Sequence, residues 1–107
     1  MKKLFLMALL CAGALGARAE IRFQSLDNMD GTNIVLVDDN APKSLKVTEV
    51  VLLNDGKKYP ALGVRCNLGD SIAAYELNFE RLTYFKDSKV AMKVNGHKVT
   101  VDIRKGL

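Results

Sequence analysis

Ile72-Ala73-Ala74-Tyr75-Glu76-Leu77-Asn78-Phe79-Glu80-Arg81-Leu82-Thr83-Tyr84-Phe85 carries two periods at once. Ile72, Tyr75, Phe79, Leu82 and Phe85 recur at helical spacing behind Asp70 or Ser71, either of which suits a helix N-cap. Tyr75 to Glu80 alternates apolar and polar side chains, and Leu82-Thr83-Tyr84-Phe85 is rich in strand formers. A strand interrupted near Glu80-Arg81 is the favoured reading, and a single short helix within 70–82, packed on a sheet, is the alternative. The choice separates an all-β chain from a mixed one, because the remaining segments read as strands.

Asp30-Gly31, Asp55-Gly56 and Asn95-Gly96 are turn signals, and the last two are flanked by alternating runs, which predicts two-residue hairpins. Ile21 to Leu26, Ile34 to Val37 and Leu45 to Leu53 read as three strands. The third finishes apolar on both faces and so belongs in a central position. Tyr59 to Leu68 reads as the return strand, with Pro60 marking an edge or a bulge. Val90 to Val94 and Lys98 to Ile103 make the last hairpin. The expected fold is all-β, a small antiparallel β-sandwich, with the helix within 70–82 as its one variant.

The first residues, MKKLFLMALLCAGALGARAE, have the three parts of a secretory signal: two lysines, an apolar run from Leu4 to Leu15, and the small-residue box Ala17-Arg18-Ala19. Cleavage before Glu20 is expected, leaving 1–19 as a cleaved signal and 20–107 as one β-rich domain. A lipoprotein cut before Cys11 fits less well, since leucine precedes it. The apolar run is shorter than the roughly 20 residues a spanning helix needs. Of the 16 basic residues, Lys2, Lys3 and Arg18 leave with the signal, so 13 basic face 12 acidic side chains, a net charge of +1. No basic stripe for nucleic acid remains, and no integral membrane segment is expected after cleavage. An 88-residue domain buries only about 60 to 65% of its unfolded surface, so its stability is modest.

Cys66 is then the single thiol of an exported chain, with no partner for a disulfide. On a strand from Leu62 to Leu68 it shares the apolar face with Leu62, Val64 and Leu68, where a free cysteine packs as a small hydrophobe. An intermolecular disulfide, or an accessible thiol whose pKa Arg65 lowers, are the other readings.

The usual catalytic constellations are missing from the sequence. The one histidine, His97, follows a turn and reads as exposed at a hairpin tip, a poor partner for a core-facing Cys66. One cysteine and one histidine cannot close a zinc site. Asn28, Asp30 and Gly31 fit positions three, five and six of a calcium loop, but Leu26 and Val37 then stand where carboxylates are required. Asp38-Asp39 lies in the loop signal Asp-Asp-Asn-Ala-Pro and reads as solvated. No catalytic residue, cofactor or metal is expected, and the chain reads as a non-enzyme.

MKKLFLMALLCAGALGARAE, Met29-Asp30-Gly31-Thr32 before a strand and an Asn-Ala-Pro-Lys turn, Arg81-Leu82-Thr83-Tyr84-Phe85-Lys86-Asp87-Ser88-Lys89-Val90, and Asp102-Ile103-Arg104-Lys105 together resemble small secreted β-hairpin-repeat proteins of anaerobic gut bacteria. That resemblance implies a repeat of turn, strand and basic-tipped strand, usually without assigned activity. In the same bacteria exported proteins are O-glycosylated at Asp-Ser/Thr-apolar tripeptides, which Asp70-Ser71-Ile72 resembles, so Ser71 is a candidate acceptor. Its other reading is a cap or turn former.

The function expected is non-covalent binding to a protein or other envelope component, in the periplasm or outside the cell. Strand Tyr59 to Leu68, if an edge, would accept an extended partner segment. Tyr59, Lys93, Asn95 and His97 are the candidate partner-binding residues. An inhibitor or immunity-type protein that plugs a cleft with the Lys93–Lys98 hairpin, and a structural subunit of an envelope assembly, are the alternatives.

Overall fold

The computed structural model describes residues 21–103; the expected signal, Cys11 and the pair Arg104-Lys105 lie outside the described residues. The chain forms eight strands: β1 (Ile21–Asp27), β2 (Thr32–Asp38), β3 (Val47–Asn54), β4 (Lys57–Pro60), β5 (Gly63–Leu68), β6 (Ala73–Phe79), β7 (Lys89–Val94) and β8 (His97–Asp102). They build two four-stranded sheets, ordered β1-β2-β6-β5 and β4-β3-β7-β8, with every neighbouring pair antiparallel. The two sheets pack face to face over one core, so the chain is a β-sandwich.

The segment with two periods is a strand. Ala73, Tyr75, Leu77 and Phe79 are buried at 0 to 1% exposure between half-buried neighbours, a period-two pattern with no helix in it. Tertiary pairing on both sides, with β2 and β5, fixes the extended form that local spacing left open. The helix reading within 70–82 is thereby replaced. The expected continuation over Leu82 to Phe85 is also replaced, since residues 80 to 88 form a connection between the sheets.

Successive hairpins alternate between sheets: β1–β2 in the first, β3–β4 in the second, β5–β6 in the first, β7–β8 in the second. The central pairs β2–β6 and β3–β7 join corresponding strands, so residues 21–60 and 63–102 are related in strand order by an approximate two-fold. The second-sheet hairpins share their turn chemistry. Asp55 (φ 53°) and Gly56 (φ 77°) match Asn95 (φ 52°) and Gly96 (φ 85°), the paired positive angles of a type I′ turn.

Two bulges re-phase strands that simple alternation would misplace. Gln24 is extra in β1, so Ile21, Phe23 and Leu26 all meet the core. In β3 the irregularity between Thr48 and Val51 puts Glu49 at φ 52° and brings Val50 and Leu52 to the core face with Val47. β3 is central as expected, but its Val51 and Leu53 stay half-exposed, so the strand is not buried on both faces.

The return strand expected over Tyr59 to Leu68 is two strands in different sheets. The Ala61 N–H donates to the Val50 carbonyl of β3 at 3.0 Å, and the next N–H, of Leu62, donates to the Asn78 carbonyl beside β5 at 2.7 Å. Adjacent residues thus belong to opposite sheets, the corner geometry by which sandwich strands change sides. Pro60 ends β4, an edge strand, where its missing N–H costs no ladder bond.

The 80–88 connection is held by buried polar groups. Asn54, 3% exposed, donates to the Tyr84 carbonyl (2.9 Å) and accepts from the Lys86 N–H (2.8 Å) and the Ser88 hydroxyl (2.7 Å). Thr32 accepts from the Leu82 N–H (3.1 Å) and donates to Asn28, whose amide donates to the Leu82 carbonyl (2.7 Å). Substituting Asn54→Ala strands the buried Ser88 hydroxyl and the part-buried Tyr84 carbonyl and Lys86 N–H, and we expect a loss of about 2 to 3 kcal/mol in urea unfolding. A loss below about 0.5 kcal/mol would show that the connection does not depend on this anchor.

Candidate binding site

The approximate two-fold sets β1 and β5 at equivalent edges of the first sheet, yet their surroundings differ. β1 packs on β8, a six-residue strand that contributes the buried Val101, and Ile103 beyond it is buried too. The strand equivalent to β8 is β4, which stops after four residues because the chain must turn at Ala61-Leu62 to begin β5. The inward-facing side of β5 is therefore only half covered. Val64 and Leu68 are each 43% exposed, and Leu62 and Ile72 at its ends are 68% and 51% exposed. Of the six large apolar side chains exposed among the described residues, four lie along this one strand and its flanks, which makes a patch rather than scatter.

The backbone of the same residues is unpaired. The Gly69 N–H donates to the Ile72 carbonyl at 2.8 Å, and with the β5–β6 register this makes Gly63, Arg65 and Asn67 the residues that bond β6. Val64, Cys66 and Leu68 consequently turn their N–H and C=O groups to the free edge. β8 is a comparable edge strand, but by the same alternation its outward groups belong to Lys98, Thr100 and Asp102, and charged side chains guard it. β1 is interrupted by its bulge, and β4 is short and carries Pro60. β5 pairs with β6 over six residues without a register shift and carries apolar side chains at its outward-bonding positions.

On the outer face of the sheet, Arg65 lies 3.6 Å from Glu76, which also accepts from Asn67 at 3.1 Å. Beside them is an open groove of about 710 Å³ whose floor includes Gly63, Asn33 and Asn78. Cys66 sits on the inner face as expected but is half-buried rather than core. Burial pushes its thiol above the usual range, and nothing offsets that shift. Arg65 points to the opposite face and does not activate it.

The sequence-predicted residues do not converge on one site. Tyr59 lies on β4, half-buried against the core. Lys93, Asn95 and His97 cluster at the β7–β8 turn, two strands away from Tyr59. Lys93 pairs with Glu49 at 3.2 Å. Asn95 is a structural tie: its carbonyl oxygen accepts from the Lys46 N–H (2.8 Å), its amide donates to the Ser44 carbonyl (3.0 Å), and its own N–H bonds the Lys46 carbonyl (2.8 Å). These bonds fasten the tip to the 44–46 segment. His97 opens β8 half-buried rather than standing exposed at the tip, and β5 and β8 lie on opposite edges, which separates it from Cys66. Ser71 is exposed between β5 and β6, and its carbonyl accepts from the Ala41 N–H at 3.1 Å.

Asp38 departs most from expectation. It is the last residue of β2 and 6% exposed, with one oxygen accepting the Asn40 N–H at 2.8 Å, while Asp39 stays on the surface in an ion pair with Arg22 at 3.0 Å. The hydrogen bond from Arg22 holds the Asp39 carboxyl below the usual carboxylate range. Sequence reading took Asp38 as solvated, and put Val64 and Leu68 on the apolar face without their exposure. The even spacing of β2 from Ile34 through Leu36 to Asp38 was the available signal for the first.

Residues 22–105 match the family described as Domain of unknown function (DUF8177). The chain belongs to that family. No curated protein and no solved structure matches it. Within the DUF8177 match fall both sheets apart from Ile21, the free β5 edge and Asp38. Among the described residues no three His, Cys, Asp or Glu side chains gather as a metal site.

A thiol reagent at neutral pH should modify Cys66 more slowly in the native protein than in denaturant, with the native rate rising as pH approaches the elevated thiol pKa. Equal native and denatured rates would contradict the half-buried placement.

Proposed function

We propose that this protein is an exported binding domain that takes an extended segment of a protein partner as an added strand along β5. The observation that supports this most is the coincidence, at Val64, Cys66 and Leu68, of outward backbone donors and acceptors with half-bare apolar side chains. An added strand satisfies both at once: backbone bonds supply affinity, and apolar residues at every second position of the partner extend the inner face. The partner's alternate residues would lie beside Arg65 and Asn67 and are best polar. Export rests on the N-terminal signal. Binding of this kind needs no cofactor and no nucleophile.

Pro60, read from sequence as marking an edge or a bulge of the Tyr59 to Leu68 strand, belongs to another sheet, so the free edge runs from the corner at Leu62 to the turn after Gly69. The test uses two edges of one molecule. Cys66→Pro removes an outward N–H and leaves the β6 ladder intact, whereas Lys98→Pro does the same on β8. Cross-linked capture from an envelope fraction should lose at least about tenfold of a specific partner with Cys66→Pro and retain it with Lys98→Pro. A partner kept by both variants, or lost equally with both, would rule out β5 as the receiving edge.

A further inference from the structure

At the end of the sandwich where β1 begins, the β2–β3 connection and the β7–β8 tip enclose a cavity of about 160 Å³. Its apolar walls come from Ile21, Ala41, Val94 and Val99, and its buried polar group is Asp38. One Asp38 oxygen is occupied by the Asn40 N–H. The described residues give the other no hydrogen bond, and none of their ion pairs involves Asp38. Close by, Tyr75 is fully buried and its hydroxyl has no hydrogen-bond partner among the described residues. Burial first, and the charges of Asp38 and Cys66 after it, push its pKa up to about 12, so it stays a neutral hydroxyl at every physiological pH.

Asp38 is 6% exposed, borders the cavity and has no ion-pair partner among the described residues, so a cation placed there gains a counter-charge partly shielded from water. The unpaired oxygen of Asp38 is answered by a cationic guest, whereas Tyr75 is not part of the cavity lining. We propose that this cavity binds a primary ammonium group on a short aliphatic chain, with Asp38 as its counter-ion and the four apolar side chains around its body. A divalent metal is a poorer guest, because a single carboxylate is far short of the oxygen ligands calcium or magnesium takes. Size limits the body: a cavity of about 150 Å³ holds a benzene-sized molecule, so about six heavy atoms fit. Two sources share this chemistry, a free aliphatic amine and the side chain of a partner's lysine. The site stands independently of the β5 edge.

The test titrates the purified protein at fixed pH and ionic strength with n-butylamine, with n-butanol as the uncharged counterpart, and with Nα-acetyl-lysine amide, reading the backbone amide shifts of Asn40, Ala41 and Asn95. Butylamine should give saturable shifts, n-butanol should bind at least about tenfold more weakly, and Asp38→Asn should weaken the amine at least about tenfold. Val99→Phe, which fills the cavity without touching the carboxylate, should abolish the shifts and keeps the test decisive if Asp38→Asn does not fold. Saturation by the lysine derivative assigns the site to a protein side chain; saturation by butylamine alone assigns it to a free amine. Equal binding of butanol, shifts that persist in both variants, or no saturation by either amine up to about 10 mM would overturn the proposal.

Discussion

The corner at Ala61-Leu62 is the constraint from which the rest follows. Two successive N–H groups bond opposite sheets, at 3.0 Å to Val50 and 2.7 Å to Asn78, so the chain has no residues left with which to extend β4. The twin of β4 under the approximate two-fold, β8, has no such obligation and runs on to bury Val101 and Ile103 against the β1 side. An arrangement symmetric in strand order is thus asymmetric in coverage. One edge of the first sheet is closed, and the other shows its apolar side chains and its unpaired backbone to solvent.

A sandwich of this size has little free energy to spare, about 5 to 15 kcal/mol in domains generally. Its apolar core is continuous through Ile34, Leu36, Tyr75, Leu77 and Phe79 in one sheet and Leu52, Val90 and Met92 in the other. The connections between sheets are fastened by a few buried amides and hydroxyls, Asn54 and Thr32 foremost, each fully engaged. Against that economy, the unmatched groups stand out. Asp38 and Tyr75 at one end, and the β5 edge, are where the chain leaves polar or apolar surface unanswered, and those are the places where a guest gains most.

Much of this was legible in the residues. Asp55-Gly56 and Asn95-Gly96 announce type I′ hairpins because few other pairs tolerate two positive φ angles in succession. The alternation of Tyr75 to Glu80 marks a half-buried strand, and the all-β sandwich follows. The corner was not legible, because Tyr59 to Leu68 is strand-forming throughout and the change of sheet is decided by what Ala61 and Leu62 meet across space. The Glu49 bulge left no mark either: a glutamate at positive φ is held there by the ladder on each side. Asp38 was read with Asp39 as a solvated pair, although one residue of register sends the first into the core and the second to Arg22. The bonds of the exposed Asn95 side chain to Lys46 and Ser44 were hidden for a related reason, since they join residues 49 and 51 positions apart.

The functional reading rests on β5 being an open edge in solution, and backbone amide hydrogen exchange measures that residue by residue. Along β5 the account predicts alternation: fast exchange at Val64, Cys66 and Leu68, whose N–H groups face outward, and protection at Arg65 and Asn67, which bond β6. Uniform protection along the strand would mean that the edge is already covered, and would contradict the account.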